Sequence, residues 1–179
     1  MNMRSPMLGV SGLKTVGRAL FFAVLLAGAD GARANTIDAK CDAAAGSRYD
    51  MTRNTAFAPV AQEDIKVGAA LSACREAYNS DRSPRMAFQL ARALERAGQD
   101  LEAMKLYAEA AALGHTVAMV NYGGMLGKRG DAVAEFSHYK KAAELGDMLG
   151  AYNLAVAYRD GIGTEVNGVE AIRWFDKAA

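Results

Sequence analysis

The feature that most constrains this chain is a pair of alanines that returns at nearly constant spacing. Ala110-Ala111 recurs as Ala142-Ala143 and again as Ala178-Ala179, steps of 32 and 36. Tyr107, Tyr139 and Phe175 precede the three pairs by the same interval, and Gly114 returns at the shorter step as Gly146. Gln89-Leu90, Asn121-Tyr122 and Asn153-Leu154 keep that step as well. The extra length of the last step falls at Gly161-Ile162-Gly163-Thr164, which has the composition of a turn. Agreement at so many registers is not chance. A period between roughly 20 and 50 residues marks a stacked array, in which each unit buries its apolar face against the next.

Each unit divides into two helices. Ser83-Pro84 opens the first, with Ser as N-cap and Pro at the first helical position, where its missing N–H costs nothing. Ala87, Leu90, Ala91 and Leu94 then mark one apolar face. Gly98 stops the helix, Asp100 is expected to cap the next, and Gly114 ends it. The second unit repeats the plan with a helix over 117–128, a stop at Gly130, Asp131 as cap and a helix to Ala143. In the third, Gly161-Ile162-Gly163 ends the first helix, and Asn167 with Glu170 forms an approximate capping box. Small residues at equivalent positions (Ala91, Gly123 and Ala155, with the alanine pairs) let paired helices approach closely. The aromatic register 107, 139 and 175 is expected to fill the gap between hairpins.

Ahead of the array, 64–84 has the pattern of one further amphipathic helix and a turn, a degenerate capping half-unit with Ile65, Ala69, Ala73 and Ala77 on one face. Residues 35–63 have no period and are expected to form an irregular, extended arm held by Cys41. The repeats then divide as 85–116, 117–148 and 149–179.

Composition matters most at the N-terminus. Arg4, Lys14 and Arg18 form a basic start, Ala19 to Ala29 an apolar run of eleven, and Ala32-Arg33-Ala34 a small-x-small cleavage pattern. A helix of that run spans about 16 Å against a hydrocarbon core of about 30 Å. The pattern predicts a signal peptide over 1–34 and a periplasmic or secreted protein, with no stable membrane insertion once the signal is removed. Its loss takes Arg4, Lys14, Arg18 and Arg33 from the 21 basic groups and Asp30 from the 20 acidic ones. The chain from Asn35 onward then carries 17 − 19 = −2, where the whole chain carries +1. Neither value suits a nucleic-acid binder. Both cysteines, Cys41 and Cys74, lie beyond the leader and would meet an oxidising compartment. A Cys41–Cys74 disulfide is therefore expected, against the alternative of Cys74 as a small buried core residue.

Ala151-Tyr152-Asn153-Leu154-Ala155-Val156-Ala157-Tyr158-Arg159-Asp160-Gly161-Ile162-Gly163, followed by Glu170-Ala171-Ile172-Arg173-Trp174-Phe175-Asp176-Lys177-Ala178-Ala179, resembles a Sel1-like repeat. Ala155 replaces the glycine usual in that pattern, and no acidic residue directly follows the GxG turn. The middle unit keeps Asn121-Tyr122-Gly123 and Tyr139-Lys140-Lys141-Ala142-Ala143-Glu144-Leu145-Gly146 without the GxG insertion. It is intermediate with the tetratricopeptide repeat, to which the first unit is closer still. The resemblance covers 85–179 well and 64–84 loosely. It implies an all-α, α/α right-handed superhelix that serves as an interaction scaffold, in bacteria often exported and engaged in envelope signalling or assembly.

No convergent set of titratable groups points to catalysis, and no cofactor is expected. His115 and His138 lack the spacing of metal ligands, and Gly161-Ile162-Gly163 follows no strand as a phosphate loop would. Binding of another protein or peptide is the better prospect. Gln89, Asn121 and Asn153 stand at equivalent positions of successive first helices. Resemblance to tetratricopeptide domains suggests that such groove asparagines grip a peptide carboxylate together with basic residues. Arg85, Arg92, Lys128 and Arg159 lie on the same helices as charge donors, and Phe88, Val120 and Tyr152 as apolar contacts. The same asparagines also suit a purely structural role between hairpins. The last hairpin has Ile172 and Phe175 with nothing stacked beyond them, so self-association through that end, cover by a partner, or truncation is expected. An envelope or cell-wall hydrolase, or a remnant of a larger multidomain protein, remain the alternative classes.

Overall fold

The computed structural model describes residues 37–179, and within them the chain is helical with no strand. The expected leader lies outside the described residues. Helix α1 covers 37–45, and a chain of turns follows to residue 66. Seven further helices run in sequence: α2 (Val67–Ser80), α3 (Pro84–Arg96), α4 (Asp100–Ala112), α5 (Thr116–Gly127), α6 (Ala132–Glu144), α7 (Met148–Asp160) and α8 (Gly168–Ala178). Each packs against the next, and α5 also touches α7, so the hairpins α3–α4, α5–α6 and α7–α8 stack as an α-solenoid.

The local chemistry explains the repeat length. Gly98, Gly114, Gly130 and Gly146 are evenly spaced along the chain, all with positive φ. At Gly114, φ is 91° and the next N–H, that of His115, donates back to the Ala110 carbonyl at 3.0 Å. This closes the helix end with a left-handed residue that glycine adopts without strain. The other three glycines make the same 6→1 closure, through the N–H groups of Gln99, Asp131 and Asp147. A helix of twelve or thirteen residues plus this turn makes one half-unit, and two halves make the period.

The next helix is restarted by a side chain. Ser83, His115 and Asp147, each one repeat from the next, cap the three first helices by accepting from Met86 N, Ala118 N and Gly150 N. Asp131 and Asn167 cap α6 and α8 in the same way. Asp100 departs from expectation: the cap of α4 is Gln99, which makes no side-chain bond, and Asp100 is the first helical residue. Its charge there still favours the helix N-terminus. At Asn167 only one half of the capping box forms, because Glu170 turns instead to Arg173 at 3.3 Å.

Small residues set the hairpin spacing as expected. A Cβ placed on Gly123 would stand 2.9 Å from the Cβ of His138, so α5 and α6 meet at a point where no larger residue fits. Ala91 and Ala155 are fully buried at the same register. Tyr107 is buried and Tyr139 nearly so, whereas Phe175 is half-buried against Tyr152 at 5.6 Å.

The N-terminal segment differs from the irregular arm of the sequence reading. Cys41 sits on helix α1, not on extended chain, and is bonded to Cys74 of α2. On α2 the buried face is Ala70, Cys74, Ala77 and Tyr78, which leaves Ala69 exposed. Without a repeat register, the alternation of small residues alone misplaced that face.

Candidate functional site

A groove of about 550 Å³ opens across the first helices α3, α5 and α7. It is lined by Val117, Val120, Asn121, Gly124 and Met125 of α5, by Lys128 just past the end of that helix, and by Leu149 and Asn153 of α7. Its near wall comes from the N-terminal segment, Ser47 to Tyr49 and Val60 to Glu63, with Arg92 and Glu95 at the end of α3. The cleft is therefore composite, built mostly by the solenoid and closed on one side by the arm.

Four of the eight binding candidates line it: Arg92, Asn121, Lys128 and Asn153. Asn121 and Asn153 are half-buried, one repeat apart, and Lys128 stands exposed at the rim, 3.9 Å from Glu95. The other four are placed elsewhere. Arg85 is spent on the arm, donating from Nη1 to both oxygens of Asp42 at 2.7 and 2.6 Å. Phe88 is fully buried, stacked on His115 at 4.4 Å and tilted against Tyr107 at 5.9 Å. Tyr152 packs on Phe175 of α8, outside the groove lining, and Arg159 pairs with its exposed neighbour Asp160 at 2.7 Å. Helical spacing assigned these residues to the right helices, but the arm takes Arg85, the core takes Phe88, and Tyr152 and Arg159 pair with neighbours of their own.

Arg92 is also held by the arm. It is 4% exposed, and its guanidinium donates to the carbonyls of Ala45 and Val60 and to Gln62 Oε1. Burial pulls its pKa below the ordinary guanidinium range, while Tyr107, Glu95, Asp50 and Glu63 oppose the shift. Gln62 Nε2 returns a bond to the Arg92 carbonyl at 3.0 Å. Beside it, burial and the Glu95 carboxylate push the Tyr107 hydroxyl well up, so it remains a donor to Glu95 Oε2 at 2.8 Å. Burial and Glu135 act likewise on Tyr139 at the other end of the groove, where its hydroxyl donates to Glu135 Oε1 at 2.8 Å. Of these groups Glu95 and Tyr139 line the groove, each fixed by a partner behind it. A side-chain hydrogen bond from Asn121 opposes the upward push on Tyr107. The groups that line the groove with polar capacity are therefore Asn153, Lys128 beside Glu95, and an Asn121 amide already touching the phenol.

Under the arm, His115 and Asp50 form a buried pair, with Nε2 3.3 Å from Oδ1. His115 Nδ1 accepts the Ala118 N–H, so one ring both caps α5 and meets the arm. Sequence reading found no role for His115. Its place in the register of Ser83 and Asp147 was the available signal. The arm's own wall residues, Arg48, Tyr49, Gln62 and Glu63, belong to no repeat and carried none. Among the described residues, no group of three His, Cys, Asp or Glu side chains is placed to hold a metal ion, and no helix is long and apolar enough to cross a membrane.

The sequence matches the Sel1 repeat model three times, over residues 84–115, 116–147 and 149–179. A curated F-box protein of Arabidopsis thaliana is 34% identical over 78 residues, covering 44% of this chain and 22% of that protein. The chain thus spans about a fifth of that relative's length. Among solved structures, c5321, a protective antigen present in uropathogenic Escherichia coli strains and displaying an SLR fold, superposes with a TM-score of 0.57 at 21% identity. That match covers 64% of this chain and 26% of the antigen, and it supports the fold alone. MamA superposes with a TM-score of 0.48 at 19% identity, over 63% of this chain and 66% of MamA.

Proposed function

From the premise that the chain belongs to the Sel1 repeat family, we propose that it is an exported, non-catalytic scaffold whose concave groove binds a segment of another protein. The observation that carries this reading is the placement of Asn121 and Asn153. They occupy equivalent turns of α5 and α7 and line one cleft with Lys128 at its rim, the Asn121 amide also reaching the Tyr107 hydroxyl. A carboxamide both donates and accepts, so two of them one repeat apart suit the main chain of an extended peptide. Val120, Met125 and Leu149 supply apolar contact between them. An acidic group or terminal carboxylate on the ligand would meet Lys128 at the rim.

Export is proposed on the leader pattern of residues 1–34, and the Cys41–Cys74 bond suits an oxidising compartment. The mass of the mature protein tests it: a chain beginning at Asn35 is expected, and an intact cytosolic chain overturns it. The groove is tested by immobilising the mature protein and its Asn121→Ala/Asn153→Ala variant against envelope extract. Two neutral hydrogen-bonding groups are worth about 1 kcal/mol each, so capture of a retained partner is expected to weaken by about tenfold or more at unchanged helicity. Equal capture by both proteins overturns the groove assignment.

A further inference from the structure

The surroundings of α3 are unlike those of α5 and α7. Every residue from Met86 to Leu94 is buried, including the polar Gln89 and Arg92. Their side chains find hydrogen-bond partners in the N-terminal segment. Gln89 Nε2 donates to Asp42 Oδ1 at 2.7 Å, and Arg92 donates to the Ala45 and Val60 carbonyls and to Gln62. Arg85 completes a clasp on the Asp42 carboxylate, which is 1% exposed. Gln89 is the first member of the register continued by Asn121 and Asn153, so the position that lines the cleft in two repeats is held by the arm in the first.

The contacts resemble recognition of a peptide more than packing of a core helix. Cys41 and Ala45 join the core and Ile37, Ala44 and Val60 pack against it, as a bound segment's apolar face would, but register is set by charged and amide side chains gripping a carboxylate and main-chain carbonyls. Ala45 is the last residue of α1, and a helix end leaves its final carbonyls without partners. Arg92 fills that need, as basic groups do at helix C-termini. The arm then doubles back, with Val60 N donating to Gly46 O at 2.8 Å, which brings the second carbonyl to the same guanidinium. Its covalent ties to the solenoid are the chain into α2 and the disulfide from Cys41 to Cys74.

We propose that residues 37–63 are a built-in ligand of the first repeat, so that the chain fills part of its own concave face with a segment of itself. A competing partner segment has the same chemistry: a helix end with an Asp or Glu in its last turn for the Arg85–Gln89 clasp, and free carbonyls for Arg92. This inference rests on the concave-face reading, yet it concerns the first repeat, whereas Asn121 and Asn153 report on the second and third.

The test cuts the arm in place. A protease site inserted between the exposed Glu63 and Asp64 is cleaved in the oxidised protein, where the disulfide retains the arm, and the product is then reduced. The reduced arm fragment is expected to separate on gel filtration, the remaining array to keep its helical circular-dichroism signal, and added arm peptide (residues 37–63, Cys41→Ser) to rebind saturably. Asp42→Asn in that peptide is expected to weaken rebinding by about 10- to 100-fold, as loss of charge-assisted hydrogen bonds does. Loss of the helical signal on release of the arm, or equal binding of the Asp42→Asn peptide, overturns the proposal.

If the cut chain aggregates on reduction, the uncut Cys41→Ser/Cys74→Ser protein decides by hydrogen exchange. Amides of α1 opening ahead of those of α3 to α8 support a detachable ligand, and exchange of all of them in one concerted opening overturns it. Failure of the partner-capture experiment with an intact result here would remove the groove assignment and leave the arm as a self-ligand. The converse result would do the reverse.

Discussion

Asp50 is 2% exposed, accepts from Thr52 N at 2.8 Å and Thr52 Oγ1 at 2.6 Å, and faces His115. Burial alone would raise its pKa; the contact with His115 and the Thr52 bonds overcome this and hold the carboxyl below its usual 3.8. A carboxyl depressed in the folded state stabilises the fold fully above its unfolded value, and that contribution is lost as pH falls through the folded value. Asp50→Asn is therefore expected to cost about 1–3 kcal/mol near neutrality, with the gap to the parent closing below about pH 4. Melting curves across that range check it, and parallel pH profiles for the two proteins would refute it. Gly163 offers a second residue-level test. Its φ is 66°, and a Cβ there would be driven into the Ala132 carbonyl and to within 2.9 Å of the Phe136 Cβ. Gly98 has φ 73° with open space around it. Gly98→Ala is expected to cost about 1 kcal/mol from backbone strain alone. Gly163→Ala should cost more, by about 1–3 kcal/mol, because backbone must also move. Equal midpoints in urea would show that the turn does not press on α6 as described.

At the scale of elements, the repeats were legible because each boundary is written in local chemistry: a left-handed glycine closing each half-unit and a capping side chain after most of them. Helices α3 to α8 followed from those signals within a residue or two. The groove was legible only by half, through the Gln89, Asn121 and Asn153 register. What failed was the assumption that equivalent positions have equivalent surroundings. Arg85 and Arg92 align with Val117 and Gly124, yet the first pair is spent on the arm, through Asp42 and through the Ala45 and Val60 carbonyls, while the second pair is not. That arm has no period, its contacts reach 30 to 48 residues ahead, and no local pattern encodes a clasp such as Asp42 to Arg85. The disulfide that fastens it closes a separation of 33 residues. On the chain-entropy account such a link contributes about 3–4 kcal/mol, so Cys41→Ser/Cys74→Ser is expected to lower the urea midpoint accordingly. A loss under about 1 kcal/mol would mean that the polar clasp alone holds α1.

Across the whole molecule, a stack in which each helix packs mainly on its neighbours distributes stability unevenly along the chain. Helix α3 buries nine residues, covered by the arm on one side and by α2 and α4 on others, whereas α8 buries only Ala171 and Trp174. Val169 and Ile172 of α8 are 78% and 65% exposed, so much of its apolar surface contributes little to folding. Stability in such an array is close to a sum of unit and nearest-neighbour terms, and openings begin where the interface term is smallest. Native-state hydrogen exchange is therefore expected to show a gradient: α8 opening first, then α7 and α6, with α3 and α4 exchanging near the global free energy. The order has a functional consequence under the groove reading. Asn153 on α7 lies in the more labile half and Asn121 nearer the rigid one, so a ligand bridging both is expected to slow exchange in α7 more than in α3. Uniform protection from α3 to α8 would show that the array unfolds as one cooperative block, and would remove this link between the arm's anchorage and the groove.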